Sequence, residues 1–129
     1  MKKDIVQKWV DALRSGDYRQ TRGRLQRTVA KSDDVVYGSS EPGFCCLGVL
    51  CEIAVADGVI ENLGPDSDGD IQYGAAGSRS TVGPTIDIYD WLDETGGELG
   101  RLNLVSLNDD EGYSFEQIAE VLETEILNA

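Results

Sequence analysis

The sequence predicts an α+β fold, mainly helical, with about four helices and a small β-hairpin or sheet. Three observations carry this prediction. Segments near both ends place apolar residues at helical spacing. The run Phe44 to Ala56 is nearly all apolar and too long for an ordinary strand. Between these segments lie stretches rich in Gly, Ser and Asp, broken by short β-prone pieces. The 129 residues show no repeat and no shift of composition that marks a linker, so 1–129 reads as a single domain.

The elements follow in chain order. From Lys3 to Ser15, residues Ile5, Val6, Trp9, Val10 and Leu13 form one apolar face, and Gly16 is a natural stop. Asp17 to Val29 lacks helical periodicity and has Gly23 near its middle, which predicts extended chain or a hairpin. Gly38 to Gly43 is a turn cluster by composition. Phe44 to Ala56 reads as a buried central helix closed by Asp57 and Gly58. Short β pieces are expected at Val59-Ile60 and at Ile71-Gln72-Tyr73. Pro84 suits the first residue of a helix running to about Glu94, with Ile88, Trp91 and Leu92 on one face. Leu102 to Leu107 makes a short apolar element before a turn at Asn108 to Gly112. The last helix is capped by Ser114, with Gln117 completing a capping box and Phe115, Ile118, Ala119, Leu122 and Ile126 on one face.

Charge is the strongest clue to function. The net charge is −13, but it is unevenly placed. Met1 to Lys31 holds nine bases and three acids; Ser32 to Ala129 holds two bases and 21 acids. Such a split suggests that the two parts face each other, within one chain or between copies in a homo-oligomer. Direct binding to bulk nucleic acid is disfavoured, because the whole-molecule field repels phosphate. No apolar stretch approaches the length that spans a bilayer and the N-terminus lacks an apolar signal core, so no membrane role is expected and the expected compartment is the cytoplasm.

Catalytic and metal-binding patterns are sparse. The chain has no histidine, which removes the usual general base at neutral pH, so a non-enzymatic role is expected. Cys45, Cys46 and Cys51 lack the paired spacing and fourth ligand of a zinc site and read as buried, reduced thiols. Asp66 to Asp70 resembles the start of a calcium loop, but Ile71 stands at the turn-glycine position and Gly77 at the bidentate-glutamate position. It reads as a solvated acidic loop, and neither metal nor cofactor is expected.

Two segments are candidates for ligand binding. The first is the basic run Arg19, Arg22, Arg24 and Arg27, whose planar guanidiniums suit carboxylate or phosphate. The second is Gly74 to Gly83, where small residues let backbone amides approach an anion and Ser78, Ser80 and Thr81 surround Arg79; a flexible surface loop is the competing reading. The arginines have a competitor of their own. Glu116, Glu120 and Glu123 form a self-repelling stripe on the last helix that a basic hairpin would offset. Self-pairing and capture of an external anion both stand open.

Three segments together carry a resemblance. They are Asp11 to Tyr18, Gly43 to Glu52 with its Phe-Cys-Cys-Leu-Gly-Val-Leu-Cys core, and Ser106 to Asp109 followed by Tyr113 to Ala119. In that order the chain resembles a family of short, uncharacterised proteins encoded by bacteriophages and prophages. The resemblance implies a phage accessory protein acting in the host cytoplasm, and it brings no catalytic residues with it. Joined to the charge split, it leads to an expected anti-defence role: sequestering a small phosphorylated, nucleotide-type immune signal at the arginines. The alternative is an acidic nucleic-acid mimic that blocks a host protein.

Overall fold

A computed structural model of the chain describes residues 1–30, 40–75, 77–94 and 97–128. The helices are α1 (Lys3–Arg14), α2 (Cys46–Ala56), α3 (Ile86–Leu92), α4 (Glu98–Leu102), α5 (Leu104–Asp109) and α6 (Phe115–Leu122), and a π-helical turn, Glu123–Leu127, extends the last. Strands β1 (Arg19–Gln20), β2 (Gln26–Ala30) and β3 (Ser40–Phe44) make one sheet in the order β1-β3-β2. Strands β4 (Glu61–Pro65), β5 (Ile71–Ala75) and β6 (Ser78–Ser80) make a second in chain order. The fold is α+β as the sequence predicts, with more and shorter helices and with two sheets rather than one.

The core is helical. Trp9 and Val10 of α1, Leu50 of α2 and Ile118 and Leu122 of α6 are all fully buried. The Trp9 indole N–H donates to Cys46 O at 2.9 Å, which satisfies the one polar atom that this large ring takes inside. α1 and α6 form where their apolar faces require, and the Ser114–Gln117 capping box is present with both reciprocal bonds. α2 is buried on most of its surface, which is why its sequence shows no polar face.

Elsewhere the structure corrects the sequence reading. Ser40 to Gly43, assigned to a turn by Pro and Gly, and Phe44, assigned to the start of the central helix, form the central strand of the first sheet, and the helix begins at Cys46; Gly38 and Ser39 lie outside the described residues. Thr21 N–H donates to Phe44 O, so Phe44 faces β1; by alternation Pro42 turns its missing donor the same way, beyond where β1 begins. β1 and β2 do not pair with each other: β3 lies between them, parallel to β1 and antiparallel to β2. The expected extended chain is therefore present, but not as a hairpin closed within the segment. The helix expected from Pro84 begins at Ile86, with Thr85 at the cap, and Asp93 ends it in a left-handed conformation. Leu102 to Leu107 belongs to two helices that hinge at Asn103, with φ +51°, and Asn108 is inside α5 rather than in a turn.

Candidate functional site

The basic segment 19–27 is paired with β3 at both ends, and a buried side chain, Asn108, ties down its middle. Asn108, 1% exposed, uses both ends of its amide. Its Oδ1 accepts from Gln20 Nε2 at 2.9 Å and from Cys46 N at 3.2 Å, while Nδ2 donates to Thr21 O at 2.9 Å and Asp109 Oδ1 at 2.8 Å. Asp109 Oδ1 also accepts from Gly23 N at 3.1 Å, and Gln20 Nε2 donates to Tyr113 O at 2.8 Å. On the other side, Leu25 is fully buried and its backbone N–H donates to Thr81 O at 2.7 Å. Arg22 and Arg24 thus project from a loop pinned at Gln20, Thr21, Gly23 and Leu25. The reading from sequence missed Asn108. Its one signal is the spacing from Leu104, one helical turn earlier, which puts it on the buried face of α5.

The arginines divide into distinct environments. Asp70 is buried and lies between two of them: Arg24 Nε donates to Asp70 Oδ2 at 3.0 Å, and Arg27 Nε stands 3.7 Å from Oδ1. Arg24 Nη1 donates to Gly23 O at 2.6 Å and Arg27 Nη1 to Arg22 O at 3.2 Å. Gln20, Thr21, Arg22 and Arg27 line an open groove of about 390 Å³. Arg22 is exposed there and makes no ion pair among the described residues. Arg19 is exposed on β1 and does not line the groove. Two carboxylates, Asp70 and the Asp109 that accepts from Gly23 N, stand with the three guanidiniums of Arg22, Arg24 and Arg27, which leaves a small local positive excess inside an acidic protein.

Two acidic segments find partners here. Two glutamates of the stripe, Glu116 and Glu123, are met by Arg14 of α1. Arg14 Nε is 3.0 Å from Glu116 Oε1, and Arg14 Nη2 pairs with Glu123. That bond holds the Glu123 carboxyl below its ordinary value and the guanidinium above its own. Asp66 to Asp70, in turn, is not simply solvated acid. It is the β4–β5 turn, and it ends in the buried carboxylate that the arginines share.

The second candidate segment is also corrected. Ser78, Arg79 and Ser80 form strand β6, paired with β5, rather than an open loop. Ser80 Oγ accepts from Val82 N and Gly83 N, each at 3.2 Å, so its hydroxyl closes its own turn. Gly74 is needed for the close approach of the strands, since a Cβ there would sit 2.0 Å from Ser78 O. Arg79 is exposed on β6, and Thr81 joins the basic segment through its carbonyl, which accepts from Leu25 N. Ser78, Arg79, Ser80 and Thr81 do not line the groove.

A separate cleft of about 230 Å³ lies between α4, α5 and the chain before α3, lined by Leu47, Tyr89, Leu99 and Leu104 among others. The three thiols are free and buried. Burial pushes Cys45 up to about 11 and raises Cys46 and Cys51 as well. Among the described residues, no group of three His, Cys, Asp or Glu could hold a metal ion, and no helix is long and apolar enough to cross a membrane.

No curated protein and no solved structure matches the chain. A family model does, over residues 1–126, nearly the whole length that these elements occupy. The chain belongs to that family, described as a domain of unknown function (DUF8296).

Proposed function

We propose that this protein binds a small phosphorylated ligand in the groove lined by Gln20, Thr21, Arg22 and Arg27, and that it does so without catalysis. One observation carries the reading: Arg22 and Arg27 share an open groove, and Arg22 makes no ion pair among the described residues. Guanidiniums are the best side chains for phosphoryl oxygens, because their paired N–H groups match the spacing of two oxygens. The acidic body around them favours a small anion that fits locally over a long polyanion. In the biological setting that the sequence resemblance implies, the ligand is a nucleotide-type immune signal of the host. The protein is then a cytoplasmic phage sponge that lowers the free concentration of that signal.

Titration calorimetry with cyclic dinucleotides and ADP-ribose-like nucleotides tests this. Wild type should bind at least one, and Arg22→Ala/Arg27→Ala should weaken it by about 3 kcal/mol, the scale of two charge-assisted hydrogen bonds. Silence of the wild type across the whole panel sinks the sponge.

The acidic mimic draws support from a different face. The Glu116 side chain is 68% exposed despite its bond to Arg14, and Glu120 and Glu125 line an open depression along α6. That reading is favoured instead if lysate pull-downs recover a nucleic-acid-binding host protein that moderate salt releases.

A further inference from the structure

The Asp66 to Asp70 turn has no apparent reason to be so rigid if its only task is to connect two strands. Asp66 Oδ1 accepts from Asp68 N at 2.9 Å and from Asp70 N at 3.0 Å. The backbone closes the same turn twice more, from Asp66 N to Asp70 O at 2.9 Å and from Gly69 N to Asp66 O at 3.1 Å. At the closed end stands the Asp70 side chain, 8% exposed, with Arg24 and Arg27 on its two oxygens.

The way the arginines are held matters. Both meet Asp70 through Nε, and both give Nη1 to a backbone carbonyl of the basic segment. Neither bond uses the Nη2 corner. Arg24 is thus hydrogen-bonded at two of its three nitrogens, and Arg27 is hydrogen-bonded at Nη1 with its Nε in an ion pair to Asp70 at 3.7 Å. Ordering such side chains in advance removes an entropic cost that binding would otherwise carry.

We infer that the Asp66–Asp70 turn is the positioning element of the anion groove, in which Asp66 sets the backbone of Asp70, and Asp70 holds Arg27, which lines the groove, with Arg24 beside it. The inference rests on the anion-binding reading above and adds the β4–β5 hairpin to the site. The support is a carboxylate beside an anion, so charge and positioning act with opposite sign. Charge alone says that removing either acid tightens phosphate binding. Positioning says that binding weakens.

The test is calorimetry of the full-length chain with inorganic pyrophosphate, using two charge-matched variants of Asp66 in its surface turn. Asp66→Asn keeps the Oδ1 acceptor and Asp66→Ala does not, while both remove the same charge. Asp66→Ala should bind pyrophosphate about fivefold more weakly than Asp66→Asn, since only the held turn differs. Asp70→Asn should also bind more weakly than wild type, although it removes a negative charge from the neighbourhood. Equal affinity of the two Asp66 variants overturns the inference, even if Asp70→Asn fails to fold. Tighter binding by Asp70→Asn overturns it as well, and so does a wild type that takes no pyrophosphate. The anion reading is judged separately, by the nucleotide panel and the Arg22 and Arg27 variants. It survives a result in which nucleotides bind but the Asp66 pair does not differ.

Discussion

The Cys45 thiol has its dissociation pushed up to about 11 by burial, and the same cause raises Cys46 and Cys51. A raised thiol value means little thiolate at neutral pH, hence little nucleophile, whatever the local sequence suggests. The thiols serve packing and capping: Cys45 Sγ accepts from Gly48 N at 3.4 Å at the start of α2, and Cys46 Sγ lies 3.7 Å from Leu104 O. A disulfide-exchange reagent at pH 8 should leave all three untouched in the native protein and titrate all three in denaturant. Fast reaction of a native thiol would show that the α2 N-terminus opens. The buried inert reading of these cysteines was legible from their clustering. The role of Asn108 was not, because a polar residue inside a core is defined by the groups that surround it, and three of its four partners, on Gln20, Thr21 and Cys46, are distant in sequence.

α2 shows what one position can demand of an element. A Cβ added at Gly48 would lie 1.8 Å from Leu25 O, so the basic segment crosses the helix in backbone contact. In an isolated helix, Gly→Ala stabilises by about 1 kcal/mol. Here Gly48→Ala should instead destabilise by about 3 kcal/mol, because the Leu25 backbone must move off the helix and release its bonds to Thr81 and Cys45. A urea melt checks this through its midpoint at constant slope; a neutral or stabilising outcome would place Leu25 elsewhere. Elements with a strong apolar period, α1 and α6, were legible because that period is a property of the segment alone. β3 was not, because Pro42 and Gly43 have turn-forming habits that pairing with β1 and β2 overrides.

Across the whole molecule the net charge of −13 on 129 residues acts against compactness. Arg14 with Glu116 and Glu123, and Arg24 and Arg27 with Asp70, place the bases of the first quarter against acids of the remainder. The excess of acids over bases still leaves repulsion for salt to screen. The melting temperature should therefore rise between low and roughly 0.3 M sodium chloride, where the screening length falls below about 6 Å. Anion binding at the groove should weaken over the same range. A melting temperature that falls with salt would mean that attractive pairs outweigh the repulsion.

The charge split, the helical faces of α1 and α6, the buried α2 and the capped start of α6 were determined by the sequence itself. Each is a matter of composition or of short-range period, and these survive whatever the rest of the chain does. Only the tertiary structure decided which acid each arginine meets. Arg14 took Glu116 and Glu123 of the α6 stripe that the sequence offered to Arg22 and its neighbours, and Asp70, from a loop that looked solvated, took Arg24 and Arg27. Ion pairing is a relation across space, set by how α1 lies on α6 and how the β4–β5 turn reaches the basic segment, and no local pattern encodes that distance.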